Sequence, residues 1–174
     1  MIKLAAIKLI LILAITILPS GCGYQLQKPL SINTAEQPVY VDGDLLLALA
    51  LKRQLALNNI STSKKLSNAG SVVSVAIVDA DSRSYSISLD GRNAEVLRTM
   101  KASIEWRSVD SKKTNSSDSR ELLPRSVVST EQVQIQNPDN VTAQTREAES
   151  IGKEMRETLV EKMLNLMRYR SHSK

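Results

Sequence analysis

Two alternating segments on either side of Asp90-Gly91 constrain the fold more than any other part of this sequence. Asp-Gly pairs are favoured at tight hairpin turns. In the return segment the apolar residues occur at every second position: Met100, Ala102, Ile104 and Trp106. Before the turn, the same alternation is carried by Val73, Val75, Ile77, Tyr85, Ile87 and Leu89. Such alternation is typical of strands with one buried face, so the sequence predicts a β-hairpin.

Helical patterns lie on both sides of this hairpin. Asp44 is expected to cap a helix that runs to about Asn58. The leucines of this helix spread widely around its axis, which predicts burial on more than one side. Asn137-Pro138-Asp139-Asn140 is expected to open a long amphipathic helix of about eight turns, in which the apolar residues from Ala148 to Leu166 are spaced by three and four.

Two further strands complete the expected fold. Val39-Tyr40-Val41 precedes the first helix, and a strand runs roughly from Leu122 to Ile135, broken or bulged near Pro124. The element order is then strand, helix, three strands, helix. We expect an α+β fold in which two helices pack on one face of a four-stranded, mostly antiparallel sheet.

The first 21 residues have the properties of a removable export signal. Lys3 and Lys8 flank the start of a charge-free apolar run from Leu9 to Leu18. This run is too short to span about 30 Å of hydrocarbon securely, so a secretory signal is favoured over the alternative of a transmembrane anchor. Small residues, Ser20 and Gly21, precede the single cysteine of the chain.

The segment Leu18-Pro19-Ser20-Gly21-Cys22 resembles the lipobox of bacterial lipoproteins, in which the cysteine thiol receives a diacylglycerol. Pro19 stands where those proteins usually have leucine. The resemblance implies lipid attachment at Cys22, and Gly23 in place of an aspartate implies the outer membrane. Several acyl chains anchor a protein firmly, because each buried CH₂ contributes roughly 0.8 kcal/mol.

These features predict the organisation of the chain. Removal of residues 1–21 leaves 153 residues, which fits one domain. We expect a lipidated tether over residues 22–38, a single α+β domain over 39–170, and a flexible tail over 171–174.

The composition argues against catalysis, cofactors and nucleic-acid binding. Cys22 and His172 are the only cysteine and histidine, too few for a zinc site or for most nucleophilic mechanisms. No glycine-rich phosphate loop follows a strand. Asp79 and Asp81 share a strand face, but a solvated bend explains them better than catalysis does. Without the signal, 21 basic residues face 18 acidic ones, too small an excess to indicate nucleic acid.

Two features are candidates for binding. The first is the set of basic residues around the hairpin, whose guanidinium and ammonium groups pair well with phosphate: Arg83, Arg92, Arg98 and Lys101. Alternatively, these are ordinary solvent-facing charges. The second is the segment 163–170, which fits a membrane-surface helix less well than a core-facing stripe that ends in cations favoured by the helix dipole.

Several short segments, in matching order, resemble LptE, the lipopolysaccharide-assembly lipoprotein family of Gram-negative outer membranes. They are Cys22-Gly23-Tyr24-Gln25-Leu26, the helix ending from Leu49 to Asn58, Asp90-Gly91 with Ala94-Glu95, and Asn137-Pro138 with Glu147, Leu159 and Met163 in the closing helix. The resemblance implies two helices against a four-stranded sheet, inserted as a plug into the LptD β-barrel.

The resemblance also implies that basic residues near the hairpin bind lipopolysaccharide. Leu89 stands where relatives can carry a basic residue, and the expected contacts here are Arg92, Arg98 and Lys101. Two other functions remain open at this point. One is an auxiliary lipoprotein of a lipid-transporting ABC system, and the other is an envelope enzyme that uses Asp or Glu alone.

Overall fold

A five-stranded sheet, covered on one face by two helices, makes up most of the described part of the chain. The computed structural model describes residues 29–87, 89, 91, 93–109, 121–136 and 140–172. In chain order the elements are β1 (Val39–Gly43), α1 (Leu45–Leu57), β2 (Thr62–Ser63), β3 (Ser71–Ile87), β4 (Asn93–Ser108), β5 (Glu121–Ile135) and α2 (Val141–His172).

The sheet has the strand order β2-β1-β3-β4-β5. β1 is parallel to both β2 and β3, because α1 carries the chain back across the sheet before β3 begins. The longer pairings, β3 with β4 and β4 with β5, are antiparallel. The predicted α+β class, with its two helices and its central hairpin, is confirmed. The predicted number of four strands is corrected to five by β2, which has only two residues and no recognisable pattern.

The core lies between the helices and one face of the sheet, and aliphatic side chains fill it. Its fully buried members from the helices include Leu47, Leu51, Leu55, Leu159, Val160, Met163 and Met167. From the sheet, Val39, Val73, Val75 and Ile104 meet them, and Trp106 closes one end at 2% exposure. These strand residues are the alternating positions of the sequence pattern, so the predicted inward face is the observed one.

α1 begins and ends with recognisable caps. Asp44 Oδ1 accepts a hydrogen bond from the Leu47 backbone N–H at 3.0 Å, which confirms the predicted N-cap. At the other end Asn59 has a φ of 59°, and the backbone N–H of buried Ile60 donates to the Leu55 carbonyl at 3.0 Å. A left-handed residue followed by such a bond is a common helix stop.

The leucines of α1 do not all find partners. Leu47, Leu51 and Leu55 face the core, whereas four others are exposed: Leu45, Leu46, Leu49 and Leu57. The expectation that the helix is buried on more than one side is therefore wrong for the described part of the chain. This leaves one apolar side of α1 uncovered.

Part of the segment predicted as a tether packs against the domain. Leu30 and Ile32 are 4% and 8% exposed and belong to the core, and a 3₁₀ turn follows at Thr34–Glu36. The packed structure therefore begins before Val39. At the other end α2 continues to His172, two residues beyond the predicted domain boundary.

β5 carries the predicted irregularity near Pro124. Ile104 pairs with Ser126 and Trp106 pairs with Leu123, so two residues of β5 lie opposite a single residue of β4. This is the geometry of a bulge, which accommodates a residue that has no backbone N–H.

The second helix ends against the core. Met163, Leu164 and Met167 are buried, so the C-terminal stripe packs inside the protein, as the sequence favoured. At the start of α2, Asn140 Oδ1 accepts a hydrogen bond from the Ala143 backbone N–H at 3.0 Å. Neither described helix combines the length and the apolarity needed to cross a membrane.

Candidate ligand-binding surfaces

The β3-β4 hairpin extends well past the part of the sheet that β1 completes. β1 pairs only with the first five residues of β3, Ser71 to Val75, whereas the pairing of β3 with β4 continues to Ile87 opposite Asn93. A register shift between Ile77 and Asp79 marks the point where the strand leaves the packed core. The distal part of the hairpin is therefore a projecting ribbon, accompanied on one side by β5.

The three cations predicted to bind lipopolysaccharide do not form one described cluster. Arg98 alternates with Met100 and Ala102 and so lies on the helix-covered face, whereas Lys101 lies on the open face. Arg92, like the predicted lipid-attachment residue Cys22, lies outside the described residues. Positions three apart on a strand face opposite ways, so the alternation itself separates Arg98 from Lys101.

Arg98 is engaged by a buried glutamine. Its Nε donates a hydrogen bond to Gln134 Oε1 at 2.8 Å, and Gln134 Nε2 donates to the Gln144 backbone carbonyl at 3.2 Å. Gln134 is 1% exposed. The chain of bonds joins β4, β5 and the first turns of α2, so Arg98 has a structural role on the inner face.

Lys101 remains close to solvent on the open face. Its Nζ lies 3.1 Å from Asp79 Oδ2, and the two side chains are 46% and 48% exposed. Ion pairs of this exposure contribute roughly 0–1 kcal/mol, so an anionic ligand can replace the aspartate at little cost. Arg83 is an exposed cation on the same face, opposite Leu97 in the strand register. The structure thus places Lys101 with Arg83, and Arg98 elsewhere.

Three apolar side chains near the end of the hairpin are largely exposed. Tyr85, Ile87 and Leu89 are each more than 60% exposed. Of the predicted Asp90-Gly91 turn only Gly91 is described, and its φ of 79° is the left-handed conformation that a tight hairpin turn requires. The sequence alternation had assigned these three apolar residues to a strand with one buried face, and for them the expected burial is wrong in the described part of the chain.

The larger cavity beside α2 is acidic. It has a volume of about 590 Å³ and is lined by Gln54, Gln132, Glu154, Glu157, Thr158, Glu161, Leu164 and Arg168. Three carboxylates against one guanidinium disfavour an anionic ligand. Among the described residues, no group of three His, Cys, Asp or Glu side chains is arranged to hold a metal ion.

A second cavity, of about 370 Å³, lies between the outer side of α1 and α2. We call it the α1-α2 groove. Its lining from α1 is Leu46, Leu49, Ala50 and Arg53, and its lining from α2 is Glu149, Lys153, Arg156 and Glu157. Two of the exposed leucines noted above, Leu46 and Leu49, line the groove, so it is more apolar than the acidic cavity beside Glu154 and Glu161.

The fold is shared with a class of small bacterial lipoproteins of known structure. Rare lipoprotein B from Shewanella oneidensis is 17% identical, covers 78% of this chain and 96% of its own, and superposes with a TM-score of 0.58. An uncharacterized lipoprotein B from Nitrosomonas europaea is 19% identical over 82% of this chain and 88% of its own, with a TM-score of 0.55. A minor lipoprotein from Acinetobacter baumannii, 10% identical over 76% and 91%, gives 0.53.

The family model for LptE, described as lipopolysaccharide-assembly, matches residues 28–167. This span includes every strand and all but the last five residues of α2. The chain therefore belongs to the LptE family, as the ordered motifs indicated, and is a lipopolysaccharide-assembly lipoprotein. No curated protein matches the chain significantly.

Proposed function

We propose that this chain is an outer-membrane lipoprotein, anchored through Cys22, that plugs an LptD-like β-barrel and helps it to insert lipopolysaccharide into the outer leaflet. The observation that carries the proposal is the family match over residues 28–167, which spans nearly the whole described fold. The role is one of binding and assembly, without catalysis.

The open face of the sheet suits the lumen of a barrel. Around the centre of the sheet this face has no covering helix, and apart from Ala76 its residues there are polar or charged: Ser74, Thr99, Lys101, Ser103 and Glu105. The interiors of outer-membrane barrels are largely polar. Packed against the polar inner wall of the barrel, this face would restrict the barrel lumen. The polar groups of both surfaces could then form hydrogen bonds with each other.

The projecting hairpin supplies cations for the phosphates of lipopolysaccharide. Lys101 and Arg83 lie on the open face, and Arg92 follows the turn in sequence. Ammonium and guanidinium groups form strong charge-assisted bonds with phosphate oxygens. The exposed tip residues Tyr85, Ile87 and Leu89 add an apolar surface beside these charges, as an amphiphilic ligand requires.

The test is affinity purification of the tagged chain from detergent-solubilised outer membranes, with the co-purifying proteins identified. A Cys22→Ala variant serves as the control for anchoring. We expect a large β-barrel in a one-to-one ratio with the wild-type chain. Recovery of an ABC-transport component in place of a barrel would establish the auxiliary-lipoprotein function, and the absence of any stable partner would overturn the plug proposal.

A further inference from the structure

Two exposed leucines of α1 lie on the side of the helix that lines the α1-α2 groove. Leu46, Leu49 and Arg53 are separated by three and four positions, so they follow one another along that side. Leu46 and Leu49 are 54% and 52% exposed. Adjacent exposed leucines beside a groove form an apolar patch of the kind that indicates a binding site.

The α1-α2 groove also presents cations without carboxylate partners. None of the ion pairs or side-chain hydrogen bonds within the described ranges involves Arg53, Lys153 or Arg156. Glu149 and Glu157 line the same groove, so three cations stand against two carboxylates. The groove therefore combines an apolar floor with a small excess of positive charge, whereas the neighbouring cavity beside Glu154 and Glu161 is acidic.

We propose that the α1-α2 groove binds an acyl chain of lipopolysaccharide, with Arg53, Lys153 and Arg156 placed to pair with the phosphates at its head. This inference rests on the proposed function, because that function supplies the lipid. A volume of about 370 Å³ lies within the range of roughly 300–1,000 Å³ typical of ligand pockets. Leu46, Leu49 and Ala50 give it the apolar floor that hydrocarbon requires.

Two features of the surface favour a lipid cargo over the wall of a barrel or the membrane surface. Barrel interiors are largely polar, so exposed leucines fit them poorly. Leu46 lies near the end of α1 that follows β1 residue Gly43, whereas residues 29–38 join β1 at its opposite end, Val39. The groove leucines are therefore at the end of β1 away from the segment that leads back in sequence to Cys22.

The experiment measures the binding of fluorescently labelled lipopolysaccharide to the full mature chain in phosphatidylcholine nanodiscs. The test variant is Leu46→Gln with Leu49→Gln, and the matched control is Leu57→Gln, which changes an exposed leucine of the same helix outside the groove lining. We expect the double variant to bind at least tenfold more weakly and the control to bind like wild type. Circular dichroism verifies that both variants fold.

A charge variant and two competitors complete the design. Arg53→Glu with Lys153→Glu should weaken binding, whereas Arg125→Glu, an exposed change on β5 outside the groove lining, should not. Lipopolysaccharide without its acyl chains should not compete. Vesicles of phosphatidylglycerol should compete weakly, and equal competition by them would make the groove a membrane-surface contact and overturn the inference.

The outcomes separate the groove from the proposed function. If wild type binds lipopolysaccharide and the groove variants bind equally well, the groove inference fails and the proposed function stands. If wild type does not bind at all, the lipid-binding part of the proposed function fails together with the groove, although barrel co-purification still tests the plug. Weaker binding confined to the groove variants supports both.

Discussion

The guanidinium of Arg98 donates through Nε to Oε1 of Gln134 over 2.8 Å, on the face of the sheet that α2 covers. The amide nitrogen of Gln134 then donates to the backbone carbonyl of Gln144, in the first turns of α2. Since Gln134 is 1% exposed, its amide cannot form hydrogen bonds with solvent, and these two bonds satisfy it instead. A cation that the sequence assigned to ligand binding is thus part of the attachment of α2 to the sheet.

Replacement of Gln134 by alanine should destabilise the domain. The change leaves Arg98 Nε and the Gln144 carbonyl without their partners, and the loss of bonds to a buried polar group, one of them charged, costs about 2–3 kcal/mol in the free energy of unfolding. Urea denaturation measures the effect. Gln132→Ala is the matched control, because Gln132 lies two residues away on the same strand and its bond to Glu154 is 3.4 Å long. An equal loss in both variants would contradict the role of Gln134.

The two described cations of the predicted lipid site should respond differently to alanine. Lys101→Ala should lower the affinity for lipopolysaccharide about twofold to fivefold, which is the contribution expected of one exposed ion pair. It should leave the unfolding free energy nearly unchanged. Arg98→Ala should instead lower the unfolding free energy by about 1–2 kcal/mol. Lipid titration and urea denaturation of both variants provide the measurements. Lys65→Ala, an exposed lysine away from the hairpin, should change neither quantity.

The sequence predicted the hairpin because Ala102, Ile104 and Trp106 alternate with polar residues, and the same alternation fixes which side chains reach the core. The same alternation predicts that Arg98 and Lys101, three positions apart, lie on opposite faces of the strand. Grouping them as one binding site because they are close in sequence overlooked this. No sequence pattern predicted that Gln134 is buried, because its neighbours on the same face of β5, Thr130 and Gln132, are also polar. Only the position of α2 above β5 makes that glutamine an interior residue.

The sequence shows that α1 has more leucines than one buried face requires, but it does not show what covers the others. Leucines spread widely around a helix predict burial on more than one side, and the described fold covers only the side of Leu47, Leu51 and Leu55. The remainder belongs to a partner or a ligand, which a single sequence does not contain. Leu30 and Ile32 were missed for the opposite reason, because two isolated apolar residues near Pro29 show no periodicity.

Gly43 should not tolerate a side chain. Its φ is 116°, and a Cβ added there would overlap the carbonyl oxygen of Val75, which accepts the Asp44 backbone N–H at 3.0 Å. Gly43→Ala should therefore lower the unfolding free energy by about 3 kcal/mol or more, from backbone strain and displacement of β3 together. Gly91→Ala controls for the strain alone, because its φ is also positive and nothing lies within 4 Å of the added Cβ. It should cost about 1 kcal/mol. Similar losses in thermal or urea denaturation would show that the strands do not meet so closely at Gly43.

Leu55 and Leu57 test the orientation of α1 directly. The two leucines are separated by one residue, yet Leu55 is fully buried and Leu57 is 70% exposed. Leu55→Ala should lower the unfolding free energy by about 2–5 kcal/mol, because it removes buried methyl groups and leaves a cavity. Leu57→Ala should stay within about 0.5 kcal/mol of wild type, as surface substitutions do. Urea denaturation of the purified domain, free of any partner, measures both. A large loss at Leu57 would mean that this end of the outer side of α1 is covered in the free chain, contrary to its 70% exposure.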